Sequence, residues 1–285
     1  FPLPTLGPAL RSLRDELLEG RGFLLIRGVP VETLTKAQAA ATFWGIGVWL
    51  GQPVSQNGQG HLLGHVKDIG GDYTDPKTRG YMTRADMGFH ADQCDYVGLM
   101  CYHPAMKGGE SRIVSAITLH NEMLKRRPDL VEELTRDFCW TRHGEIPPGK
   151  QPWYPHSVFS FEQGYFAGRG ISSHIFKSQG MDGVAPFTEA QKEAFDLFRA
   201  LADELAYDMT FRHGDIQFLQ NHVILHSRRG FEDWPEPERK RHLFRLWLCD
   251  PEGRVIRPSF RDHIRGINVA GVDLTAPLDV AGVSV

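Results

Sequence analysis

Gly88-Phe89-His90-Ala91-Asp92-Gln93-Cys94-Asp95 leads into an apolar run from Tyr96 to Tyr102. His90 and Asp92 stand two residues apart, and on a β-strand residues i and i+2 project from the same face. On a helix the same spacing would splay them by about 200°. The run Val97-Gly98-Leu99-Met100-Cys101 is strand-like, so the imidazole and the carboxylate are expected to project together. A neutral imidazole plus a carboxylate makes up most of the facial triad that binds non-haem Fe(II) and leaves coordination positions open. The rest of the chain must then supply a second histidine.

Of the 285 residues, 41% are hydrophobic and 24% charged. These are ordinary proportions for a globular protein with enough apolar material for a core. A formal net charge of −3 gives no basic field for nucleic acid or an anionic membrane. No apolar run approaches the roughly 18 residues of a membrane span. Phe1-Pro2-Leu3-Pro4 lacks the charged-then-apolar pattern of a signal peptide. Cys94, Cys101, Cys139 and Cys249 form no CxxC pair, which suits free thiols in a reducing, cytoplasmic compartment. Cys94 reads as a small apolar filler rather than a group supporting the site.

Taken in order, residues 10–18 read as an amphipathic helix and 22–28 as a buried strand bounded by glycines. Thr35 is expected to cap a helix running to about residue 50, with Phe43, Trp44 and Trp49 as packing residues. Residues 54–84 are rich in Gly, Asn, Gln, Asp and Thr, and are expected to form an irregular loop flanking the site. Its histidines, His61 and His65, read as surface residues rather than additional ligands. A strand over 110–116, helices over 118–127 and 128–136, and a strand over 138–142 follow. Residues 144–155 form a second candidate loop. A hairpin around Gly164 and a long helix capped by Thr188 come next.

The second informative region is Asn221-His222-Val223-Ile224-Leu225-His226-Ser227-Arg228. His222 and His226 are four apart in a strand-like segment, so both would face one side, and periodicity does not choose between them. Arg241-His242-Leu243-Phe244-Arg245-Leu246-Trp247 is an evident strand with Arg241 and Arg245 on one face. Short strands, interposed helices and glycine turns indicate a mainly β fold with flanking helices, a β-sandwich or jelly roll, built as one domain over residues 1–285.

Four segments, 88–92, 108–111, 221–228 and 241–247, together resemble the Fe(II)/2-oxoglutarate-dependent dioxygenases of the taurine dioxygenase-like (clavaminate synthase-like) family. The resemblance runs in the same order from about residue 20 to residue 250. It implies a double-stranded β-helix core, with His90, Asp92 and His226 as the iron ligands. It also implies Arg241 as the partner of the distal carboxylate of 2-oxoglutarate, a role that suits a guanidinium's paired donors. Ser111 stands where the family usually carries threonine, keeping the hydroxyl. Arg245 is implied as a contact to an acidic group of co-substrate or substrate, or else as a structural ion pair. Arg228 and Arg229 are expected to pair with the acidic loop from Glu232 to Glu238. His222 reads as a support for the ligating imidazoles or as a core residue. Asp95, on the opposite strand parity from His90 and Asp92, is left between a substrate ammonium contact and a turn cap.

The implied chemistry uses Fe(II), O2 and 2-oxoglutarate, which is converted to succinate and CO2 while an unactivated C–H of a small polar substrate is oxidised. An amino acid or other carboxylate is the expected substrate. Hydroxylation is the default outcome, with desaturation or cyclisation open to the same chemistry. The competing reading is a metal-binding jelly-roll protein without oxygenase activity, a sensor or binding module. Homo-oligomerisation is left open.

Overall fold

The computed structural model describes residues 2–71, 80–147, 149–267 and 269–280. Helix α1 (Leu6–Leu18) buries Leu10 and Leu17, and strand β1 (Phe23–Ile26) follows. Helix α2 (Lys36–Gly47) starts at Thr35 as expected. The Thr35 hydroxyl accepts from Gln38 N, and the Gln38 side chain accepts from the Thr35 amide, so two orphan donors are satisfied reciprocally. β2 (Gln52–Val54) and β3 (Leu63–Val66) then correct the reading of 54–84 as loop throughout. β3 is four residues long and holds Gly64 and His65, too short and mixed to show period-two patterning. Residues 72–79 of that stretch lie outside the described residues.

β4 (Met87–His90), β5 (Tyr96–His103), β6 (Lys107–Gly108) and β7 (Ser111–Ser115) come next. Ser115 caps α3 (Ala116–Arg126), and Pro128 opens α4 (Pro128–Thr135), where its missing N–H costs nothing. β8 (Asp137–Thr141) pairs with β9 (Trp153–Ser157), so the end of the expected 144–155 loop is strand. Residue 148 lies outside the described residues. β10 (Phe159–Glu162) and β11 (Tyr165–Gly168) form the expected hairpin. After α5 (Ser173–Lys177), Thr188 caps α6 (Glu189–Leu205) by the same reciprocal device as Thr35. β12 (Tyr207–Met209), β13 (Ile216–Gln220), β14 (Ile224–Arg228), β15 (Phe231–Glu232), β16 (His242–Cys249) and α7 (Pro258–Arg261) complete the order.

The core is a jelly roll. One antiparallel sheet has the order β1-β13-β5-β16-β2, with β3 also pairing β16; the other has the order β12-β7-β14-β4. Val97, Leu219 and Trp247 of the first pack with Ile113, Met209 and Ile224 of the second. Along β16, Phe244, Leu246 and Leu248 face outward and pack with Leu10, Leu17 and Phe43 of α1 and α2. The alternate residues Leu243, Arg245 and Trp247 therefore face inward, toward the smaller sheet. Helices α3, α4 and α6 and strands β8–β11 gather around a second cluster that includes Phe89, Val114 and Leu225.

β4 and β5 belong to different sheets. The opening motif consequently does not ride on one strand, which corrects the parity argument applied to it. β4 ends at His90, residues 91–95 cross between the sheets, and β5 begins at Tyr96. The segment around His222 is corrected in the same way. β13 and β14 are separated by a turn at residues 221–223, so His222 and His226 do not share a strand face.

Candidate metal and co-substrate site

His226 lies directly opposite His90 in the β14–β4 ladder, with ring centroids 4.3 Å apart. The crossover carries Asp92 back toward them. Its Oδ1 is 4.0 Å from His90 Nε2, and its Oδ2 is 3.9 Å from His226 Nε2. Ligand atoms of all three lie within 4.8 Å of one another, at separations too long for hydrogen bonds among themselves. The approach is enforced by backbone. Ala91 N donates to Arg169 O, Asp92 N donates to Asn221 Oδ1, and Asn221 Nδ2 donates to Cys94 O. The ladder is irregular just before the site, since Arg228 pairs with Met87 rather than Gly88.

The ring nitrogens suit a cation. His90 Nδ1 lies 2.9 Å from Gly88 O; a carbonyl only accepts, so Nδ1 carries the proton and Nε2 keeps a lone pair facing Asp92. His226 Nδ1 is buried without a hydrogen-bond partner. Burial pulls both imidazole pKa values down, that of His226 to about 3, so both are neutral ligands at ordinary pH. For Asp92, burial is the largest single effect and raises the pKa. The combined pull of Arg245, the two imidazoles and the Trp247 N–H outweighs it and holds the carboxyl well below its usual range. Trp247 Nε1 and Arg245 Nη1 both donate to Oδ2, at 2.8 and 3.3 Å. This donor set, two neutral imidazoles and one carboxylate with space between them, fits Fe(II).

Two cavities meet at these residues. One is lined by Ser111, His226, Arg241, Leu243 and Arg245. Arg241 is buried there, stacked over Phe231 at 5.1 Å, with Nη1 lacking any hydrogen-bond partner. Burial lowers its pKa to about 10, which still leaves it charged at neutral pH. A buried cation with an orphaned donor fits a carboxylate that this chain does not itself supply. Ser111 lines the same cavity, but its hydroxyl donates to Gln217 Oε1 at 3.2 Å and must rotate to reach a ligand. The second cavity is lined by His90, Asp92, Gln93, Trp140, His143, Arg169, His174, Arg245 and Trp247.

Several sequence expectations are relocated. Arg245 reaches Asp92 and Gln56, with Nε donating to Gln56 Oε1 at 2.7 Å, so its partner is the candidate ligand itself. Asp95 is buried and structural: Oδ1 accepts from His222 Nε2 at 2.9 Å and Oδ2 from Asp250 N at 2.8 Å. It lines neither cavity, which removes the ammonium reading. His222 is thereby a core residue. His65 is buried against His242 rather than on the surface, and His61 contacts Asn57. Arg229 pairs with Asp208 and Arg228 donates to Ala85 O, not to the acidic loop. Cys94 is filler, fully buried with its thiol donating to Tyr96 O.

Four residues at the site escaped the sequence reading. Trp247 carried a signal, since it continues the period-two series of Arg241 and Arg245. Asn221 stood beside His222 in the quoted segment. Gln56 and Arg169 gave none, because their partners are remote in sequence.

Comparison with known proteins agrees with this geometry. Residues 1–247 match the family described as taurine catabolism dioxygenase TauD, TfdA family. FR-33289 synthase of Streptomyces rubellomurinus is 30% identical over 278 residues, covering 94% of this chain and 81% of that protein. Taurine hydroxylase-like protein SAT17 of Stachybotrys chartarum is 28% identical over 265 residues, covering 88% and 67%. Asparagine oxygenase, solved with Fe(II), 3-hydroxyasparagine and succinate, superposes with a TM-score of 0.65 at 18% identity, covering 87% of this chain and 80% of that one. The chain belongs to the TauD/TfdA family and is an Fe(II)- and 2-oxoglutarate-dependent oxygenase.

Proposed function

We propose that His90, Asp92 and His226 hold Fe(II), that Arg241 with Ser111 anchors 2-oxoglutarate, and that a small polar substrate is hydroxylated in the cavity beyond Asp92. The observation that carries the assignment is a cluster of two neutral imidazoles and one carboxylate with, on one side of it, a buried guanidinium whose Nη1 has no partner. A protein that only bound metal would have no use for Arg241 in that state.

Held by these residues, Fe(II) with O2 and 2-oxoglutarate would supply the oxidant for removing a substrate hydrogen, with succinate and CO2 as the co-substrate's products. The chain's own contribution is positioning. Gly88 O fixes the His90 tautomer, and Trp247 and Arg245 hold Asp92 through Oδ2. Such supports normally orient a ligand and tune its charge. Arg241 sets the direction from which 2-oxoglutarate approaches, leaving the Arg169 side for the substrate. The four cysteines, none in a disulfide, support placing the protein in a reducing, cytoplasmic compartment.

Anaerobic titration tests the assignment. Fe(II) followed by 2-oxoglutarate should produce the visible charge-transfer band of a chelated 2-oxo acid. Full iron loading without that band would overturn it.

A further inference from the structure

Two hydrogen bonds of Arg245 differ in length, and the one to the candidate ligand is the longer. Nη1 lies 3.3 Å from Asp92 Oδ2, beyond the roughly 2.7–2.9 Å usual for a charged N–H···O⁻ pair. Nε lies only 2.7 Å from Gln56 Oε1. The shorter bond has the greater say in where the guanidinium sits.

Gln56 is 1% exposed, and its amide is fully engaged. Oε1 accepts from Arg245 Nε, while Nε2 donates to Leu62 O at 3.0 Å and to Arg245 O at 2.8 Å. A guanidinium nitrogen only donates and a carbonyl only accepts, so one orientation of the amide satisfies all three partners. The amide has room there because β3 carries a glycine. Gly64 stands opposite Arg245 in the β3–β16 ladder, and a Cβ on it would lie 2.3 Å from Gln56 Oε1. Glycine inside a strand often marks such a close approach.

The loop that carries Gln56 is held in turn by the segment that follows the core. Ile267 N donates to Ser55 O at 2.9 Å, Leu62 N to Thr275 O at 2.7 Å and Thr275 N to Gly60 O at 2.9 Å. Thr275 thereby forms a parallel bridge with His61. Gly60, at φ +76°, comes so close to this strap that a Cβ would lie 2.3 Å from Asp273 O. The strap lies beyond residues 1–247, the part of the chain matched to the family. Bond by bond, a path runs from Thr275 through residues 60–62 and Gln56 to Arg245 and Asp92.

We propose that Gln56 is a positioning residue for Asp92, acting through Arg245, and that the C-terminal strap keeps Gln56 in place. This role rests on the assignment of His90, Asp92 and His226 as iron ligands and extends it to a distant part of the chain. A guanidinium on a long stem has many rotamers, and fixing its Nε narrows the directions open to Nη1. An Asp92 carboxylate held in one orientation meets the metal without first being ordered.

Anaerobic calorimetric titration with Fe(II), beside urea unfolding of the same proteins, tests this. Gln56→Met, nearly isosteric but unable to make these bonds, should raise the Fe(II) Kd by about ten-fold and leave the 2-oxoglutarate KM within about two-fold. In an Arg245→Leu background the same substitution should change the Fe(II) Kd by less than about two-fold, because its effect passes through Arg245. A purely structural role would instead lower the urea midpoint and add to the Arg245→Leu loss. Gly64→Ala, which only displaces the Gln56 amide, should weaken iron binding with Gln56 and Arg245 both present. Thr275→Pro, which removes the donor to Gly60 O, should weaken it by about three-fold. Wild-type iron affinity in a folded Gln56→Met protein overturns the role of Gln56, and so does additivity in the cycle. If Gln56→Met fails to fold, unchanged affinity in Gly64→Ala overturns it. Unchanged affinity in Thr275→Pro overturns the part given to the strap. Absence of stoichiometric Fe(II) binding by the wild-type protein would instead remove the ligand assignment beneath it.

Discussion

Two clusters in this molecule each bring two imidazoles and a carboxylate within 4.8 Å: His90, Asp92 and His226, and His65, His242 and Asp279. By composition they are the same set, yet their atoms are used differently. In the second cluster His65 Nδ1 and His242 Nε2 share a hydrogen at 2.7 Å, and His65 Nε2 donates to Pro277 O at 2.8 Å. Asp279 is taken by Lys36 and Lys67, at 2.7 and 2.8 Å. The ring nitrogens of His65 are spent, and two ammonium groups already occupy the place a cation would take. In the first cluster the Nε2 atoms face a carboxylate across gaps of 3.9 and 4.0 Å, and the His90 ring is held through its other nitrogen, Nδ1. A metal site is thus recognised by which lone pairs the fold leaves unspent.

The largest expected effect breaks that contrast directly. Asp92→Ala should lower turnover by more than about 1,000-fold and abolish stoichiometric iron binding, since it removes one of three ligands and leaves Arg245 buried without its carboxylate partner. Asp279→Ala should leave iron stoichiometry and turnover unchanged, because its carboxylate is taken by two lysines and a backbone amide. Iron content by elemental analysis checks both, and metal lost equally from the two variants would show that the clusters are not different in kind.

Arg241→Leu should raise the 2-oxoglutarate KM by about 100-fold, because a buried carboxylate then loses a charged hydrogen-bonding partner. Arg245→Leu should act mainly on iron affinity, since its hydrogen bond reaches Asp92. Measured KM for 2-oxoglutarate and Kd for Fe(II) in both variants separate the roles. A reversal of the two effects would reassign the arginines.

The smallest effect concerns a third kind of histidine, one with no ionic task. His156 lies flat against Phe260, with ring centroids 4.1 Å apart and planes 6° from parallel. Burial, helped by Arg169 and Arg257, pushes its pKa down to about 2. The unfolded chain takes up that proton near pH 6.5, so below this value the unfolded state binds more protons and stability falls with pH. His156→Phe should reduce the acid-side slope by up to about 1.4 kcal/mol per pH unit between roughly pH 6 and 3, read from urea unfolding at several pH values. Equal slopes in both proteins would mean that His156 is hydrated and titrates normally.

What was legible in the sequence was local or periodic. Thr35 and Thr188, each followed three residues later by glutamine, located two helix starts to the residue. The inward series of β16 was readable from alternation, and His90-x-Asp92 from its spacing. What was hidden depended on the partner across the sheet. Strand parity accounts for the convergence of His90 and Asp92 only on a single strand, whereas the crossover between sheets brings them together. His222 and His226 could not be told apart because the turn at 221–223 has no proline and no glycine to announce it. Arg169 and Gln56 act on residues far away in the chain, a relation that only the folded topology creates.

The irregular step in the β4–β14 ladder has a practical consequence. It falls beside Gly88, whose carbonyl accepts a hydrogen bond from His90 Nδ1–H. A protein engineer who copied the His-x-Asp spacing onto a straight hairpin would reproduce the ligands without that defect. The imidazole could then carry its proton on either nitrogen, and the Nε2–H tautomer would offer the metal a hydrogen instead of a lone pair. The flaw in the ladder is accordingly part of what must be transplanted.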